Sequence, residues 1–148
     1  MAFCDGRPWL KHYAQGVRPH LEYPSIPLYK FLDDAVANYP DVPATIFQES
    51  TLTYRELGRM VDSMAGALAG LGVGRGDRVS IMLPNCPQLV VSYYGILKAG
   101  AVVVQTNPMY MERELEYQLN NSGSETIIIH DVFYPRLQNI KVRTTIKN

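Results

Sequence analysis

The stretch between residues 53 and 108 constrains the fold most, because helix and strand signals alternate along it. It begins with a capping box, in which the Thr53 hydroxyl can accept the Glu56 backbone N–H and the Glu56 carboxylate can accept the Thr53 N–H. Apolar residues then follow at three-and-four spacing, which predicts a helix with one buried face. Gly72 stands where a left-handed C-terminal cap is needed. This segment therefore predicts a capped helix that leads into a glycine-rich turn.

Two short apolar runs after this helix predict buried parallel strands. The first run covers 79–83 and the second covers 101–104, and turn residues bound each of them. Between them we expect a helix with Asn85 as N-cap, Pro87 in its first turn and a stop at Gly100. The residues expected to be buried on that helix are Leu89, Val90, Tyr93, Ile96 and Leu97. Strands that alternate with helices indicate βαβ units with right-handed crossovers.

The residues before the central stretch predict a helix and a hairpin. Apolar positions from Leu28 to Tyr39 follow helical spacing, and Pro40 ends the pattern. The segment 44–53 resembles a small hairpin that turns at Glu49 and Ser50.

The residues after the central stretch predict one more strand between two helices. A helix over 111–121 should point Leu115 and Leu119 inward, with Gly123 as its cap. A third parallel strand is expected over residues 126–129, followed by a short helix over 132–140 that contains Pro135.

These elements predict an α/β fold: a three-layer βαβ unit with a short parallel sheet, preceded by a β-hairpin and an irregular N-terminal arm. We expect the arm over residues 1–24, the structured part over 25–140, and an unpaired tail without packing pattern over 141–148. The arm contains Trp9 and other apolar residues without a clear period, so it either folds back on its own domain or contacts a partner.

The composition excludes several classes of protein. Lysine plus arginine equals aspartate plus glutamate, at 14 each, and a neutral chain argues against nucleic acid as the main partner. Cys4 and Cys86 do not form a disulfide framework, and we interpret both as free thiols in a reducing cytoplasm. Residues 1–7 lack the apolar core of a signal peptide. The apolar stretch 89–104 is interrupted and shorter than the roughly 20 residues that a membrane-spanning helix needs.

The glycines at positions 70–76 do not match a nucleotide-binding fingerprint. A dinucleotide fingerprint follows a strand and opens a helix, whereas here a helix precedes the glycines and a strand follows them. No G-x-x-x-x-G-K-[ST] phosphate loop is present in the sequence. We therefore interpret these glycines as a structural turn.

No set of residues in this sequence has the spacing that a catalytic site or a metal site requires. The pair His130-Asp131 follows a predicted strand, where open parallel sheets bind ligands, but a turn with a local hydrogen bond is favoured. Glu112, Glu114 and Glu116 are two residues apart on a helix, so they do not share a face and should form a solvated surface. We therefore predict no catalytic residue, no cofactor-binding residue and no metal ligand within these 148 residues.

Two motifs resemble the acyl-adenylate-forming superfamily of AMP-binding enzymes. Leu52-Thr53-Tyr54-Arg55-Glu56-Leu57 resembles its first core motif, L-[TS]-Y-x-E-L, and Leu97-Lys98-Ala99-Gly100-Ala101 resembles the start of its second, L-K-A-G-x. Within the superfamily, the flanks are similar to bacterial long-chain fatty-acid–CoA ligases. The flanking motifs are Pro8-Trp9-Leu10-Lys11-x-Tyr13, Tyr23-Pro24, Pro27-Leu28-Tyr29 and Asn107-Pro108-x-Tyr110-x-x-Arg113-Glu114-Leu115.

The resemblance implies an ATP-dependent reaction of a longer enzyme. In such an enzyme, ATP converts a fatty acid into an acyl-adenylate with release of pyrophosphate, and the coenzyme A thiol then displaces AMP. Magnesium offsets the phosphate charge, and a lysine of a C-terminal domain stabilises developing charge. The phosphate loop and that lysine are absent from this sequence. Lys98 is interpreted as a helix C-terminal residue that complements the dipole, so this chain alone should be inactive and should hold no cofactor.

Two other interpretations of this sequence remain open. The chain could be an interaction module whose residues 1–24 dock onto a second copy, or a small flavodoxin-like domain that binds adenylate without turnover. We expect homo-oligomerisation or self-association through the N-terminal arm or through an uncovered face of the sheet. We expect a cytoplasmic location, either free or peripheral at the inner membrane surface.

Overall fold

The computed structural model describes residues 7–148, and the expectation for Cys4 lies outside them. Short 3-10 helices cover Pro8–His12, Asp131–Phe133 and Lys141–Arg143. The described helices and strands, in chain order, are α1 (Tyr29–Asn38), β1 (Pro43–Phe47), β2 (Ser50–Thr53), α2 (Tyr54–Gly70), β3 (Arg78–Met82), α3 (Pro87–Lys98), β4 (Val102–Gln105), α4 (Glu112–Ser122), β5 (Thr126–Ile129) and α5 (Tyr134–Ile140).

Three parallel strands form the central sheet, as the alternation of elements predicted, and the structure shows their order as β4-β3-β5. In this register Ser80 of β3 lies opposite Val104 of β4 and Ile127 of β5. Residues 79–82 of the middle strand are buried. The prediction that residues 101–104 form a buried strand is wrong, since β3 is the only strand beside β4 among residues 7–148 and Val102 is 47% exposed.

Helices cover both faces of the sheet, which confirms the three-layer arrangement. Successive side chains of a strand point to opposite faces. Val79 and Ile81 of β3 therefore pack with residues of α2 and α3, including Leu68 and Ile96. Met82 points the other way and joins a second cluster from α4 and α5, formed with Leu115, Leu119, Leu137 and Ile140.

The capping box and the glycine cap of α2 are both confirmed. The Glu56 N–H donates to Thr53 Oγ1 at 3.3 Å, and the Thr53 N–H donates to Glu56 Oε2 at 2.8 Å. At the other end Gly72 adopts φ of +82°, and the Val73 N–H donates to the Leu68 carbonyl at 3.0 Å. This is the hydrogen-bond pattern of a helix that ends in a left-handed residue.

Two details predicted for α3 are wrong. Its N-cap is Cys86, one residue after the predicted Asn85. Of the five residues expected to be buried, only Ile96 is fully so, and the others are half-buried. The remaining fully buried positions of α3 are Val91, Ser92 and Gly95. Gly95 was missed because the prediction considered large apolar side chains, whereas Met64 of α2 lies too close to Gly95 to leave room for one.

The elements before α2 differ in two ways from expectation. The hairpin turns at Gln48 and Glu49 instead of Glu49 and Ser50, and Gln48 adopts a left-handed φ of +52°. Helix α1 buries only Leu32, while Phe31 and Tyr39 are 51% and 61% exposed. Among the described residues 7–148, α1 packs on α2 and α3 from one side, so its broad apolar stripe is only partly covered.

The predicted unpaired tail is packed against the rest of the fold. Ile146 is buried in the cluster formed by α4 and α5. The Thr145 hydroxyl donates to the Ser124 carbonyl at 2.6 Å, and the Lys147 N–H donates to the Glu125 carbonyl at 2.8 Å. The prediction failed because two residues that pair along a strand edge leave no periodic pattern. The division at residues 24 and 140 stays a prediction.

Candidate functional site at the carboxyl edge of the sheet

The loops that follow β3, β4 and β5 lie along one edge of the sheet, where open parallel sheets bind ligands. The loop after β4 is fixed by the Thr106 N–H, which donates to the Ile81 carbonyl at 2.9 Å. The loop after β5 is fixed by the His130 N–H, which donates to the Met82 carbonyl at 3.1 Å. The end of β3 therefore holds both neighbouring loops in place.

His130 and Asp131 form the local turn that the sequence favoured. His130 Nδ1 lies 2.6 Å from Asp131 Oδ1, and the Val132 N–H donates to the same carboxylate oxygen at 2.8 Å. Both side chains are exposed, Asp131 almost fully. The pair starts the 3-10 helix over Asp131–Phe133, and its described contacts account for it as a structural turn.

Arg136 connects α5 to the loop between β4 and α4, a role that was not predicted from the sequence. Its guanidinium donates to the Pro108 carbonyl at 3.1 Å and to the Tyr110 carbonyl at 2.9 Å. It also lies 5.1 Å from the centre of the Phe133 ring, within the range of a cation–π contact. Sequence reasoning missed it because its partners are backbone carbonyls, which carry no residue identity.

Thr106 lies at the same edge and buries a hydroxyl that has no hydrogen-bond partner among residues 7–148. The residue is 3% exposed. A buried hydroxyl without a partner costs about 1–3 kcal/mol. The carboxyl edge therefore has a loop held by a backbone hydrogen bond and a buried hydroxyl whose lack of a partner is unfavourable.

The three glutamates of α4 bind three different partners, so they are not a carboxylate pair. Glu112 accepts a hydrogen bond from Asn139 at 2.6 Å, and Glu114 caps its own helix by accepting the Met111 N–H at 2.8 Å. Glu116 forms an ion pair with Arg143 at 2.9 Å. Within residues 7–148, no group of three His, Cys, Asp or Glu side chains could hold a metal ion.

Lys98 does more than complement the α3 dipole. It lies in the last turn of α3, and its Nζ is 2.8 Å from Asp33 of α1 and 2.6 Å from Asp62 of α2. Burial acts to lower the pKa of Lys98, but the hydrogen bonds with Asp33 and Asp62 outweigh it and raise the pKa above 10.5. Lys98 therefore connects three helices and is a structural cation.

Two grooves lie at opposite ends of the sheet. An apolar groove of about 340 Å³ lies between β1 and the start of α3, and its lining includes Phe47 and the free thiol of Cys86. A polar groove of about 490 Å³ lies at the amino edge of the sheet. Its Asp77 accepts the Gly74 N–H at 2.8 Å, and its Arg78 donates to backbone carbonyls including that of Gly123. These polar groups already stabilise the fold.

No helix in the described part of the chain is long and apolar enough to cross a membrane.

Comparison with known proteins places these features in a family. The family described as AMP-binding enzyme matches residues 32–147, which is most of the chain. The chain belongs to the AMP-binding enzyme family. The capped helix α2 and the turn from α3 to β4, which carry the two motif resemblances, lie within the matched residues.

Curated AMP-binding relatives are much longer than this chain. The long-chain-fatty-acid–CoA ligase of Bacillus subtilis is 43% identical over 138 residues, which are 93% of this chain and 24% of the relative. The enzyme of the same name from Escherichia coli O157:H7 is 38% identical over 144 residues, which are 95% and 25% of the two chains. The chain therefore spans about a quarter of the length of these relatives.

Solved structures of AMP-binding enzymes contain the same fold. A long-chain-fatty-acid-CoA ligase from Archaeoglobus fulgidus superposes with a TM-score of 0.78 at 26% identity, covering 86% of this chain and 27% of that one. The N-terminal domain of a protein named FACL13 from Mycobacterium tuberculosis gives a TM-score of 0.73 at 27% identity, covering 76% and 29%. These matches confirm the α/β fold as part of a larger adenylate-forming enzyme.

Proposed function

We propose that this chain is the N-terminal part of the large domain of a long-chain fatty-acid–CoA ligase. The supporting observation is the 43% identity with the Bacillus subtilis ligase over 93% of this chain. In the proposed reaction, a fatty carboxylate attacks ATP to give an acyl-adenylate and pyrophosphate. The thiol of coenzyme A then attacks the acyl carbon, forms the thioester and releases AMP. The proposed setting is the cytoplasm, either in solution or at the inner membrane surface.

Within that enzyme, these residues would supply the scaffold and the remaining residues would supply the chemistry. Several charged side chains described above are engaged in caps, turns and ion pairs, of which Glu56, Asp77 and Lys98 are examples. The phosphate loop ending in Pro-Lys-Gly and the catalytic lysine of the family are absent from the sequence. ATP, magnesium and coenzyme A would therefore bind to the full-length enzyme, and the isolated chain should be inactive.

The test is a pair of activity measurements. Fatty-acid-dependent exchange between ATP and pyrophosphate should be absent with the isolated chain and magnesium. A hybrid enzyme, in which this chain replaces the matching 138 residues of the Bacillus subtilis ligase, should form acyl-CoA from long-chain fatty acids. A hybrid that is folded by circular dichroism yet makes no acyl-CoA would contradict the proposal.

A second hybrid provides the matched control for the ligase assignment. Triostin synthetase I of Streptomyces triostinicus is 34% identical over 126 residues of this chain, so its segment can replace the same part of the ligase. We expect that hybrid to form less acyl-CoA. Equal activity of both hybrids would mean that this segment supports adenylate-forming enzymes in general.

The exposed N-terminal arm favours a second candidate function, in which this segment also mediates interaction with another copy. None of the described residues 7–24 is buried, and Trp9 and Tyr23 are exposed. Large aromatic side chains in that state are suited to a protein interface. Deletion of residues 1–24 should convert an oligomer into a monomer by light scattering, and an unchanged mass would contradict this function.

A further inference from the structure

The N-terminal arm over residues 7–24 combines many large apolar side chains with a complete lack of burial. No residue of this range is buried. Five of its large apolar side chains are between 43% and 81% exposed: Trp9, Tyr13, Val17, Leu21 and Tyr23. Apolar side chains gathered in one exposed segment mark an interaction site. The arm is therefore a candidate binding surface.

The arm has a defined shape that keeps these side chains in one loop. It begins with the 3-10 helix over Pro8–His12 and turns at Gly16, which adopts φ of +89°. Its two ends meet, because Arg7 Nη1 lies 2.7 Å from His20 Nδ1. The apolar side chains between these ends thus belong to one closed loop on the outside of the fold.

The same loop is basic. From Arg7 to Leu21 the sequence contains two arginines, one lysine and two histidines and no carboxylate, and the nearest carboxylates are Asp5 and Glu22. Within residues 7–148, neither Lys11 nor Arg18 forms an ion pair. The loop therefore presents positive charge beside its exposed apolar side chains.

A second segment without carboxylates, residues 132–148, shows how basic side chains are used inside the fold. Arg143 and Lys147 form ion pairs with glutamates at 2.9 and 2.8 Å, and Arg136 donates to two backbone carbonyls. Of its four cations, only Lys141 has no such partner in the part of the chain that the structure describes. Lys11 and Arg18 of the arm differ from this segment because the described fold makes no use of their charge.

We propose that the arm binds a lipid bilayer that carries anionic headgroups. Tryptophan and tyrosine favour the boundary between lipid and water, and aliphatic side chains enter the outer part of the acyl layer. Lysine and arginine lay their apolar stems along such a surface and extend their charge to the headgroups. An anionic bilayer thus matches both the apolar side chains and the charge of the arm. A second copy fits less well, since contact between two arms would bring like charges together.

This inference rests on the proposed function for its biological meaning. A long-chain fatty acid partitions into bilayers, so an enzyme held at a bilayer surface would meet its substrate there. The arm would be the element that makes this contact. Vesicle binding is measured without ATP, coenzyme A or fatty acid, so it can succeed while the hybrid enzyme is inactive.

The test uses the fluorescence of Trp9, which is the single tryptophan of the chain and therefore reports on the arm alone. Vesicles of phosphatidylcholine are compared with vesicles that also contain phosphatidylglycerol. With the anionic vesicles we expect emission at shorter wavelength, quenching by brominated acyl chains and at least about tenfold tighter binding. High salt should weaken that binding by screening. An unchanged emission with anionic vesicles, or equal binding to both kinds of vesicle, would overturn the proposal.

Charge variants test the basic residues. Replacement of both basic residues, by Lys11→Gln and Arg18→Gln together, should weaken binding to anionic vesicles about 25-fold, at about fivefold for each basic residue near the surface. The matched control is Lys141→Gln, which removes an exposed and unpaired cation outside the arm and should change binding less than about twofold. Equal losses in the two proteins would overturn the proposal.

Aromatic variants test the apolar contact by vesicle sedimentation. Trp9→Ser should weaken binding at least about tenfold, because a large apolar side chain no longer enters the lipid. The control is Tyr117→Ser, which removes a 69% exposed aromatic side chain of α4 and should leave binding unchanged. Similar losses in both variants would contradict the role of the arm. A shift of Trp9 emission that appears without vesicles and rises with protein concentration would assign the arm to a second copy and overturn the proposal.

Discussion

At the scale of single residues, small side chains decide how closely α2 and α3 approach. A Cβ atom built on Gly95 would lie 2.5 Å from Met64 Cγ and 2.8 Å from Met64 Cβ. Glycine inside a helix usually costs about 1 kcal/mol relative to alanine. Gly95 is retained despite that cost because α2 occupies the space that a methyl group would need.

Gly95→Ala should therefore lower the free energy of unfolding by about 1–3 kcal/mol, as expected for overpacking. The matched control is Gly66→Ala in α2, where no atom lies within 4 Å of the added methyl group. That control should raise stability by up to about 1 kcal/mol through helix propensity. Urea denaturation measures both, and a stabilising Gly95→Ala would mean that the two helices are less closely packed than described.

Lys98 makes the free energy of unfolding depend on pH in the alkaline range. Its pKa is raised in the folded state, so its contribution is complete below 10.5 and is lost as the pH rises through the folded pKa. Lys98→Met should cost about 1 kcal/mol at neutral pH, a modest value because the ion pairs are partly exposed. The difference between wild type and variant should shrink above pH 10.5. Lys30→Met is the control, since Lys30 pairs with Asp34 at the surface and should change stability less.

At the scale of elements, α2 is specified by its own ends. The capping box at Thr53 and the left-handed Gly72 fix the helix bounds with local hydrogen bonds. Backbone and side-chain hydrogen bonds from Thr53 lower the pKa of Glu56. Because the folded pKa is lowered, this contribution is present above pH 4.5 and is lost as the pH falls through the folded pKa.

Thr53→Ala should destabilise the chain by about 1 kcal/mol, the usual cost of losing an N-cap side chain. The measurement is thermal unfolding followed by circular dichroism. Glu56→Gln separates the two halves of the box, because it keeps the cap from Thr53 and removes the charge. Its stability should depend less on pH between about 3 and 5 than that of wild type. A wild type and a Glu56→Gln variant with identical acid profiles would contradict this assignment.

At the scale of the whole molecule, the C-terminal segment closes the core on the α4 and α5 side. Ile146 is 7% exposed and packs with Leu119 and Ile140, although it follows the last helix by several residues. The segment thus contributes to the core as well as to the edge of β5.

Ile146→Ala should lower the free energy of unfolding by about 2–4 kcal/mol, because it leaves a cavity in that core. The matched control is Val142→Ala, which truncates a side chain that is 93% exposed and should change stability by less than about 0.5 kcal/mol. Chemical denaturation compares the two. Similar small effects would mean that residues 144–148 do not pack in solution.

The sequence by itself determined the elements whose signals are local. The capping box at Thr53, the glycine cap at Gly72 and the inward positions Leu115 and Leu119 were all predicted, since hydrogen bonds and periodicity within one helix specify them. Only the tertiary structure decided that β4 is an edge strand, that Arg136 holds the loop after β4, and that Lys147 pairs with Glu125. Those contacts join residues distant in the chain, and their hydrogen bonds reach backbone atoms or single side chains that leave no pattern along the sequence.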